Sequence, residues 1–301
     1  MRLLNLGASV LALVVLACDG GTFTVEPQDA GTLQLPLTST APGGTVYRLV
    51  GATFNITGTQ TVTVSDTAAD TVQVPLQAGP YTIALASGWH MERADAPGTA
   101  VPATLLSPNP LTFTVKKDVA TQVRFMFKLP GDGTADVGIH VDSGGWLAGT
   151  IHVEVSDGSG PDIDPYGELV DKDVPFLISF ESFTTSRESG GATAVNTGPV
   201  TVQFGGVHSE QLERVAASLK GAMFFFTLQR SGSGMVDFGG GHIENLGADI
   251  RLMLYPGSIP FAGLLDAEGY PLFRPFETES HTELWDASIG FQGSSDVNAA
   301  P

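Results

Sequence analysis

The sequence predicts an all-β protein of two β-sandwich-like domains, the second of which carries one amphipathic helix. Glycine and proline are the first indication, because 37 glycines and 19 prolines in 301 residues divide the chain into many short apolar stretches. Alternation is the second: apolar and polar residues follow each other with a period of two in 33–37, 151–155 and 250–254. Short half-buried strands separated by turn residues are typical of sandwiches and barrels.

One segment has helical rather than strand periodicity. Four of its apolar residues follow an i, i+3, i+4, i+7 pattern and form a single stripe, which must face a core. These residues are Leu212, Val215, Ala216 and Leu219. With Ser209 as N-cap and Gly221 just beyond the end, the pattern predicts a helix over 209–220. Arg214 falls on the opposite side, where we expect its replacement to cost little stability.

The N-terminus has the composition of an export signal. Arg2 gives a positive start, and the mostly apolar stretch over 6–16 is too short to span a bilayer. The stretch leads into Val15-Leu16-Ala17-Cys18, which resembles the lipobox of bacterial lipoproteins. The resemblance implies a signal peptide over 1–17, cleavage between Ala17 and Cys18, and lipidation of the Cys18 thiol and its new amine. An ordinary signal peptide cut at the same bond is the alternative.

Cysteine usage supports lipidation. Cys18 is the only cysteine in the chain, so a disulfide partner is missing. Lipid on Cys18 would anchor the protein to a membrane, and we expect the cell envelope, with the outer membrane favoured over the inner. Asp19 resembles the inner-membrane retention signal of enteric bacteria, although that rule does not transfer to other bacterial groups.

The charge of the chain limits its partners. The net charge is −18, and loss of Arg2 with the leader leaves 13 basic against 32 acidic residues, a net −19. A surface of this sign repels phosphate backbones, so we expect no nucleic-acid partner. Cations and basic proteins are the partners that the charge favours.

Composition shifts predict the domain boundaries. Residues 18–31 form a tether, 32–130 the first domain, 131–292 the second domain and 293–301 a flexible tail. The boundary rests on the Pro- and Gly-rich stretch after Leu129. In the first domain the expected strands are 45–50, 53–57, 61–65, 71–76, 80–86, 111–115 and 122–129.

Two resemblances accompany this layout. Residues 76–85 resemble the turn and strand of small immunoglobulin-like and transthyretin-like sandwiches, with the side chains of Tyr81, Ile83 and Leu85 facing one way. The whole arrangement resembles uncharacterised surface lipoproteins of Gram-negative bacteria. That resemblance implies location and architecture, and it implies no activity.

The first candidate metal site combines two triplets. His140 and Asp142 share one face of a strand, and His152 and Glu154 share one face of another. If the two strands form a hairpin around 143–149, two imidazoles and two carboxylates meet, which suits zinc. The alternative is the solvated side of two half-buried strands.

The second candidate is an acidic loop over 157–173. Its candidate ligands are carboxylates at short spacing, which suit Ca²⁺, namely Asp157, Asp162, Asp164 and Glu168. Counted from its first residue the loop partly resembles an EF-hand, with Glu168 at position twelve. It departs from that family at position six, where Asp162 replaces the required glycine. A solvated acidic loop is the alternative.

Recognised enzyme motifs are absent from the sequence. It lacks a Gly-x-Ser-x-Gly elbow, a phosphate-binding loop and His-Glu-x-x-His. The run Gly239–Gly241 indicates a hairpin. Trp89, Trp146 and Trp285 are either sugar-stacking platforms or packing residues.

We therefore expect a non-enzymatic binding or structural module. Its protein or polysaccharide partner is left open by the sequence. The alternatives are a polysaccharide binder or cation-dependent adhesin, and a hydrolase with a convergent site. We expect no cofactor, with Ca²⁺ or Zn²⁺ at the candidate sites as the alternative. A binder should show an exposed aromatic or apolar patch, whereas an enzyme should show a cleft where histidine and carboxylate converge.

The lipid anchor is testable at one residue. Cys18→Ser removes the thiol that would carry the lipid, so we expect loss of lipid labelling and release of the protein into the soluble fraction. Metabolic labelling with a fatty acid and membrane fractionation measure both effects. A variant that stays labelled and membrane-bound would refute the lipobox interpretation.

Overall fold

The structure, a computed structural model, confirms an all-β chain with one α-helix. It describes residues 29–40, 45–129, 133–136, 141–142, 144–158, 164–232, 235–258 and 260–301. The lipobox residues Ala17 and Cys18 lie outside these ranges. In the part of the chain that is described, two separate buried cores form, one from residues 33–129 and one from residues 147–299.

The first half of the chain forms four small sheets. Its strands are β1 (Ala30–Pro36), β2 (Thr38–Thr40), β3 (Val46–Val50), β4 (Phe54–Gly58), β5 (Thr61–Val64), β6 (Thr71–Gln77), β7 (Gly79–Leu85), β8 (His90–Arg93), β9 (Ala100–Val101), β10 (Thr104–Leu105), β11 (Leu111–Val115), β12 (Ala120–Gln122), β13 (Met126–Leu129), β14 (Gly133–Asp136) and β15 (Val141–Asp142). The sheet orders are β12-β1-β6, β2-β3-β8-β9, β11-β7-β4-β5 and β10-β13-β14-β15.

Six of the seven expected strands of this half are present with small shifts at their ends, and the seventh, 122–129, is divided between β12 and β13. Alternation is strong enough in these segments to fix the buried face, as in β7, where Tyr81, Ile83 and Leu85 are buried. The expected linker after Leu129 instead joins two paired strands, because Leu129 of β13 lies opposite Gly133 of β14. The change from small sheets to the second architecture therefore follows β15.

The second half forms a closed sheet rather than a sandwich. Its strands are β16 (Gly145–Ser156), β17 (Asp173–Phe180), β18 (Phe183–Arg187), β19 (Ala192–Phe204), β20 (Met223–Arg230), β21 (Met235–Asn245), β22 (Ile250–Leu254), β23 (Phe261–Ala262), β24 (Phe276–Asp286) and β25 (Ile289–Ala300). The hydrogen-bonded order is β17-β16-β25-β24-β22-β21-β20-β19, and β19 pairs back with β17. These eight strands make a barrel with the larger core inside it.

Two sequence expectations for this half are wrong. Residues 293–301 do not form a flexible tail, because nearly all of them belong to β25, which pairs with β16 on one side and β24 on the other. Small inward residues such as Gly293 and Ser295 conceal its alternation. Gly239–Gly241 does not form a hairpin but lies within β21, where Gly240 has φ +87° beside a register irregularity.

The predicted helix is confirmed as α1 (Glu210–Leu219). A short 3-10 turn (Gly167–Leu169) lies before β17. The Ser209 hydroxyl accepts a hydrogen bond from the Leu212 amide (3.3 Å), which satisfies one free amide at the helix start. The stripe of α1 is buried in the barrel core. No helix among the described residues is long and apolar enough to cross a membrane.

Arg214 is exposed on α1 as expected, but it makes a contact that the sequence does not predict. Its guanidinium pairs with Asp286 at the β24–β25 turn, which also accepts a hydrogen bond from the buried Tyr166 hydroxyl (2.8 Å). The guanidinium and then the phenol hold the pKa of Asp286 below its ordinary value. Since Asn245 also donates to the Ser218 carbonyl (2.8 Å), α1 is fixed across one end of the barrel.

Polar contacts join the two halves near α1. The Ser107 hydroxyl donates to Gln203 Oε1 (2.8 Å), and the Thr114 hydroxyl donates to Glu213 Oε2 (2.7 Å). Burial at this contact raises the pKa of Glu213. The first half therefore packs against β19 and the exposed side of α1.

Burial of the helix stripe can be tested with a matched pair of substitutions. Leu219→Asp places a carboxylate in the barrel core and should lower the free energy of unfolding by about 3 kcal/mol or more. Ala217→Asp makes the same charge change on an exposed position of α1 and should cost less than about 1 kcal/mol. Urea unfolding followed by circular dichroism measures both, and equal losses would mean that α1 is not seated in the core.

Candidate functional site

The candidate site is a groove on the outer face of the barrel. It has a volume of about 780 Å³ and crosses β17, β16, β25 and β24. We call it the strand groove. It is lined by Thr150, His152, Asp173, Pro256, Ser258, Glu279, Ser280, His281, Ser294, Ser295 and Asp296.

Strand alternation supplies the groove with polar side chains. In β16 the apolar residues Ile151 and Val153 are fully buried, so the residues between and beside them point outward. In β24 the same period buries Ser280 and Thr282 and turns His281 outward. The groove therefore follows from a sequence that is apolar or small on one face and polar on the other.

Register brings these side chains into rows across the sheet. His152 lies opposite Asp173 on one side and opposite Ser294 on the other, and Ser294 in turn lies opposite His281. The row is therefore carboxylate, imidazole, hydroxyl and imidazole over four strands. Directly paired residues in antiparallel strands have Cβ atoms about 4.5–5.5 Å apart, so neighbouring side chains in this row are within reach of one ligand.

Two of the three carboxylates that line the groove already hold donors. Asp173 Oδ1 lies 2.9 Å from His152 Nδ1, and Asp296 Oδ1 accepts a hydrogen bond from the Thr150 amide (2.8 Å). Beside the groove, Glu154 Oε1 accepts from the Ser294 amide (3.2 Å). Each carboxylate is thereby oriented and retains further acceptor capacity for a ligand.

An aromatic cluster borders the groove. Glu283 Oε2 accepts hydrogen bonds from the Tyr255 hydroxyl (2.7 Å) and from the Trp285 indole N–H (3.2 Å). The rings of Tyr255 and His281 have centroids 5.6 Å apart, and His281 Nε2 lies 3.9 Å from Glu283 Oε1. One carboxylate thus orients two rings by hydrogen bonds and lies near a third, and we call these four residues the Glu283 cluster.

Within the described residues, the two strands of the first predicted metal site do not pair with each other. β15, which contains Asp142, pairs with β14, whereas β16, which contains His152 and Glu154, pairs with β17 and β25. The expected hairpin between them is therefore not the pairing in the structure. His140 lies outside the described residues. His152 and Glu154 do share the outward face of one strand, as predicted.

The acidic loop is described only in part. Asp162 lies outside the described residues, and Asp157 and Glu168 are exposed. Asp164 is engaged within the loop, since its carboxylate accepts from the Ser156 hydroxyl and from the Tyr166 amide (3.0 Å). Over the described ranges, no three His, Cys, Asp or Glu side chains come together as a possible metal-ligand set.

The three tryptophans have different environments. Trp89 packs edge-on against Phe127 with centroids 4.8 Å apart, and Lys128 Nζ lies 5.6 Å from the centroid of Trp146. Trp285 is 38% exposed on the outer face of the barrel. Trp89 and Trp146 are half-buried, so Trp285 is the most accessible of the three.

The feature expected of an enzyme and the feature expected of a binder are both present. The groove brings histidine and carboxylate together, and an apolar patch lies towards the α1 end of the outer face. Met223 is 70% exposed and Leu246 is 76% exposed, beside a depression of about 580 Å³. The chemistry of the groove must therefore decide between the two functions.

Sequence reasoning missed half of the groove. Glu279, His281 and Glu283 alternate with buried residues just as His152 and Glu154 do, and that alternation was the available signal. The sequence predicts a tail at Ser294 and Asp296, so it does not reveal the strand that joins the two patterns.

Known proteins give no independent guide to this site. No protein-family model matches the chain, and neither does any curated protein or solved structure.

The Glu283 cluster predicts a measurable ionisation. The hydrogen bond to Glu283, followed by burial, raises the pKa of Tyr255 above its ordinary 10.0, because deprotonation would lose that bond and place two negative charges together. Glu283→Gln should lower the Tyr255 pKa towards that value. An NMR titration of ring-labelled tyrosine measures it. Glu277→Gln, an exposed position on the same strand, is the control, and an unchanged pKa in Glu283→Gln would contradict the cluster.

Proposed function

We propose that this chain is a non-enzymatic binding module of the cell envelope, anchored to a membrane by lipid on Cys18. The outer membrane is favoured over the inner membrane. The strand groove is its ligand site. The observation that carries the proposal is the row of oriented polar side chains that four strands place in one open groove. A rigid sheet face of this kind is a preformed site, so a ligand binds to it without the entropy cost of ordering its side chains.

The first half of the chain supports a second part of the proposal. Residues 32–142 act as a separate sandwich-like domain between the anchor and the barrel. Support comes from its own buried core, which includes Leu33, Phe54 and Phe127 and does not merge with the core of the barrel. Such an arrangement would hold the groove away from the membrane surface.

One observation favours a hydrolase as the second candidate. Asp173, His152 and Ser294 follow each other in the order of an acid, base and nucleophile. However, the hydrogen bonds of the described residues do not include one between His152 and Ser294, and the side chains of His152 and Asp173 are both more than half exposed. An activated serine needs its base within hydrogen-bond reach and a site that excludes water. The binding function is therefore the better supported.

Blocking the groove tests the proposal. Ser294→Arg inserts a long cation at the centre of the groove without removing a side-chain hydrogen bond of the described structure. Immobilised mature chain should retain material from an envelope extract of the source cells, and this variant should not. Sugar analysis and mass spectrometry of the eluates measure the difference.

Thr61→Arg is the matched control, since it makes a similar change on an exposed position of β5 in the other half. It should retain the same material as the unmodified chain. Identical retention by all three proteins would exclude the groove as the site. Labelling of Ser294 by a fluorophosphonate, absent from Ser294→Ala, would support the hydrolase instead.

A further inference from the structure

We infer that the strand groove and the Glu283 cluster together bind a neutral polysaccharide, an inference that rests on the proposed binding function and names its ligand. The groove and the cluster form one surface, since His281 belongs to both. The groove supplies hydrogen-bonding groups, and the cluster supplies aromatic rings. Sugar rings need both, because their hydroxyl edges are polar and their faces are apolar C–H surfaces.

The polar lining suits a ligand that donates many hydrogen bonds. Asp173, Glu279 and Asp296 accept them, and the hydroxyls of Thr150 and Ser294 both donate and accept. Neither lysine nor arginine is found among the described lining residues. With a net charge of −18 over the whole chain, an anionic polymer would be repelled. Neutral hydroxyl groups incur no such repulsion.

A polycation is the competing occupant, and the arrangement of the carboxylates disfavours it. Asp173 is paired with His152, and Asp296 and Glu283 each hold an N–H or O–H donor. Glu279 lies directly opposite Asp296, but no three His, Cys, Asp or Glu side chains of the described residues converge on one point. A cation gains most from convergent, unpaired oxygens. Oriented single acceptors are better suited to separate hydroxyl groups.

The Glu283 cluster provides the stacking surface. Glu283 binds the polar atoms of Tyr255 and Trp285, so both rings are held in place and their faces need not be ordered on binding. The attraction between ring faces and C–H groups involves no net charges, so salt does not screen it. The groove spans four strands, about 14 Å at the usual spacing, so the ligand is an extended chain rather than a single sugar.

The experiment titrates the mature chain carrying Cys18→Ser with named polymers and follows tryptophan fluorescence and calorimetry. The neutral probes are dextran, laminarin and mannan, the anionic probe is alginate, and the cationic probe is poly-lysine. At least one neutral polymer should bind, perturb Trp285 emission and keep its affinity in about 0.5 M NaCl, where charge attraction is strongly screened. Alginate should not bind.

Variants assign the binding to this surface. Trp285→Ala and Ser294→Arg should each weaken binding of the neutral polymer roughly tenfold or more, as expected for residues that carry binding energy. Trp285→Phe keeps a stacking ring and should retain most of the affinity. Thr61→Arg should bind as the unmodified chain does, and circular dichroism of each variant confirms that it is folded.

Two outcomes would overturn the inference. One is failure of every neutral polymer to bind, and the other is binding of poly-lysine alone that salt abolishes. The proposed function is judged separately by the envelope extract. If the retained material depends on the groove but contains no sugar, the proposed binding function is supported and the inference of a polysaccharide ligand is wrong.

Discussion

The close backbone approach between β16 and β25 is the constraint on which the barrel and its groove depend. A Cβ atom at Gly149 would lie 1.8 Å from the carbonyl oxygen of Asp296, and one at Gly293 would lie 2.0 Å from the carbonyl oxygen of His152. Only glycine fits at such distances. The two glycines therefore let the strands pair in one register, and a one-residue slip would turn Ser294 and Asp296 away from the groove.

Sequence periodicity predicts the individual helix and strands of this fold. It does not predict how strands that are far apart in the chain pair with each other. The apolar stripe of α1 and the alternation in β16 depend only on neighbouring residues, so their buried faces are evident from the sequence. The closure of the barrel depends on β17 meeting β19 and on β16 meeting β25, whose paired residues Thr150 and Asp296 lie far apart in the chain. Alternation fixes the face of a strand, but it does not identify the partner.

The same limit separates the predicted half of the candidate site from the missed half. Alternation correctly predicts that His152 and Glu154 share one outward face, but it favours a nearby segment as their partner because short hairpins are the simplest pairing. The actual partner strand contains Ser294, whose inward neighbours are the small residues Gly293 and Ser295. Without large apolar residues, that strand resembles a loose tail in sequence although most of its inward side is buried.

Electrostatics links the shape of the groove to the ligand proposed for it. A chain with net charge −18 would gain from a cation wherever carboxylates converge unpaired. In the groove, pairing with His152 occupies Asp173, and the backbone amide of Thr150 occupies Asp296. These two carboxylates are thereby oriented acceptors, and they lie on the same outer face as the rings that Glu283 holds in place. Such a surface discriminates by hydrogen-bond geometry and stacking, which act on uncharged chains, whereas like charge excludes anionic polymers.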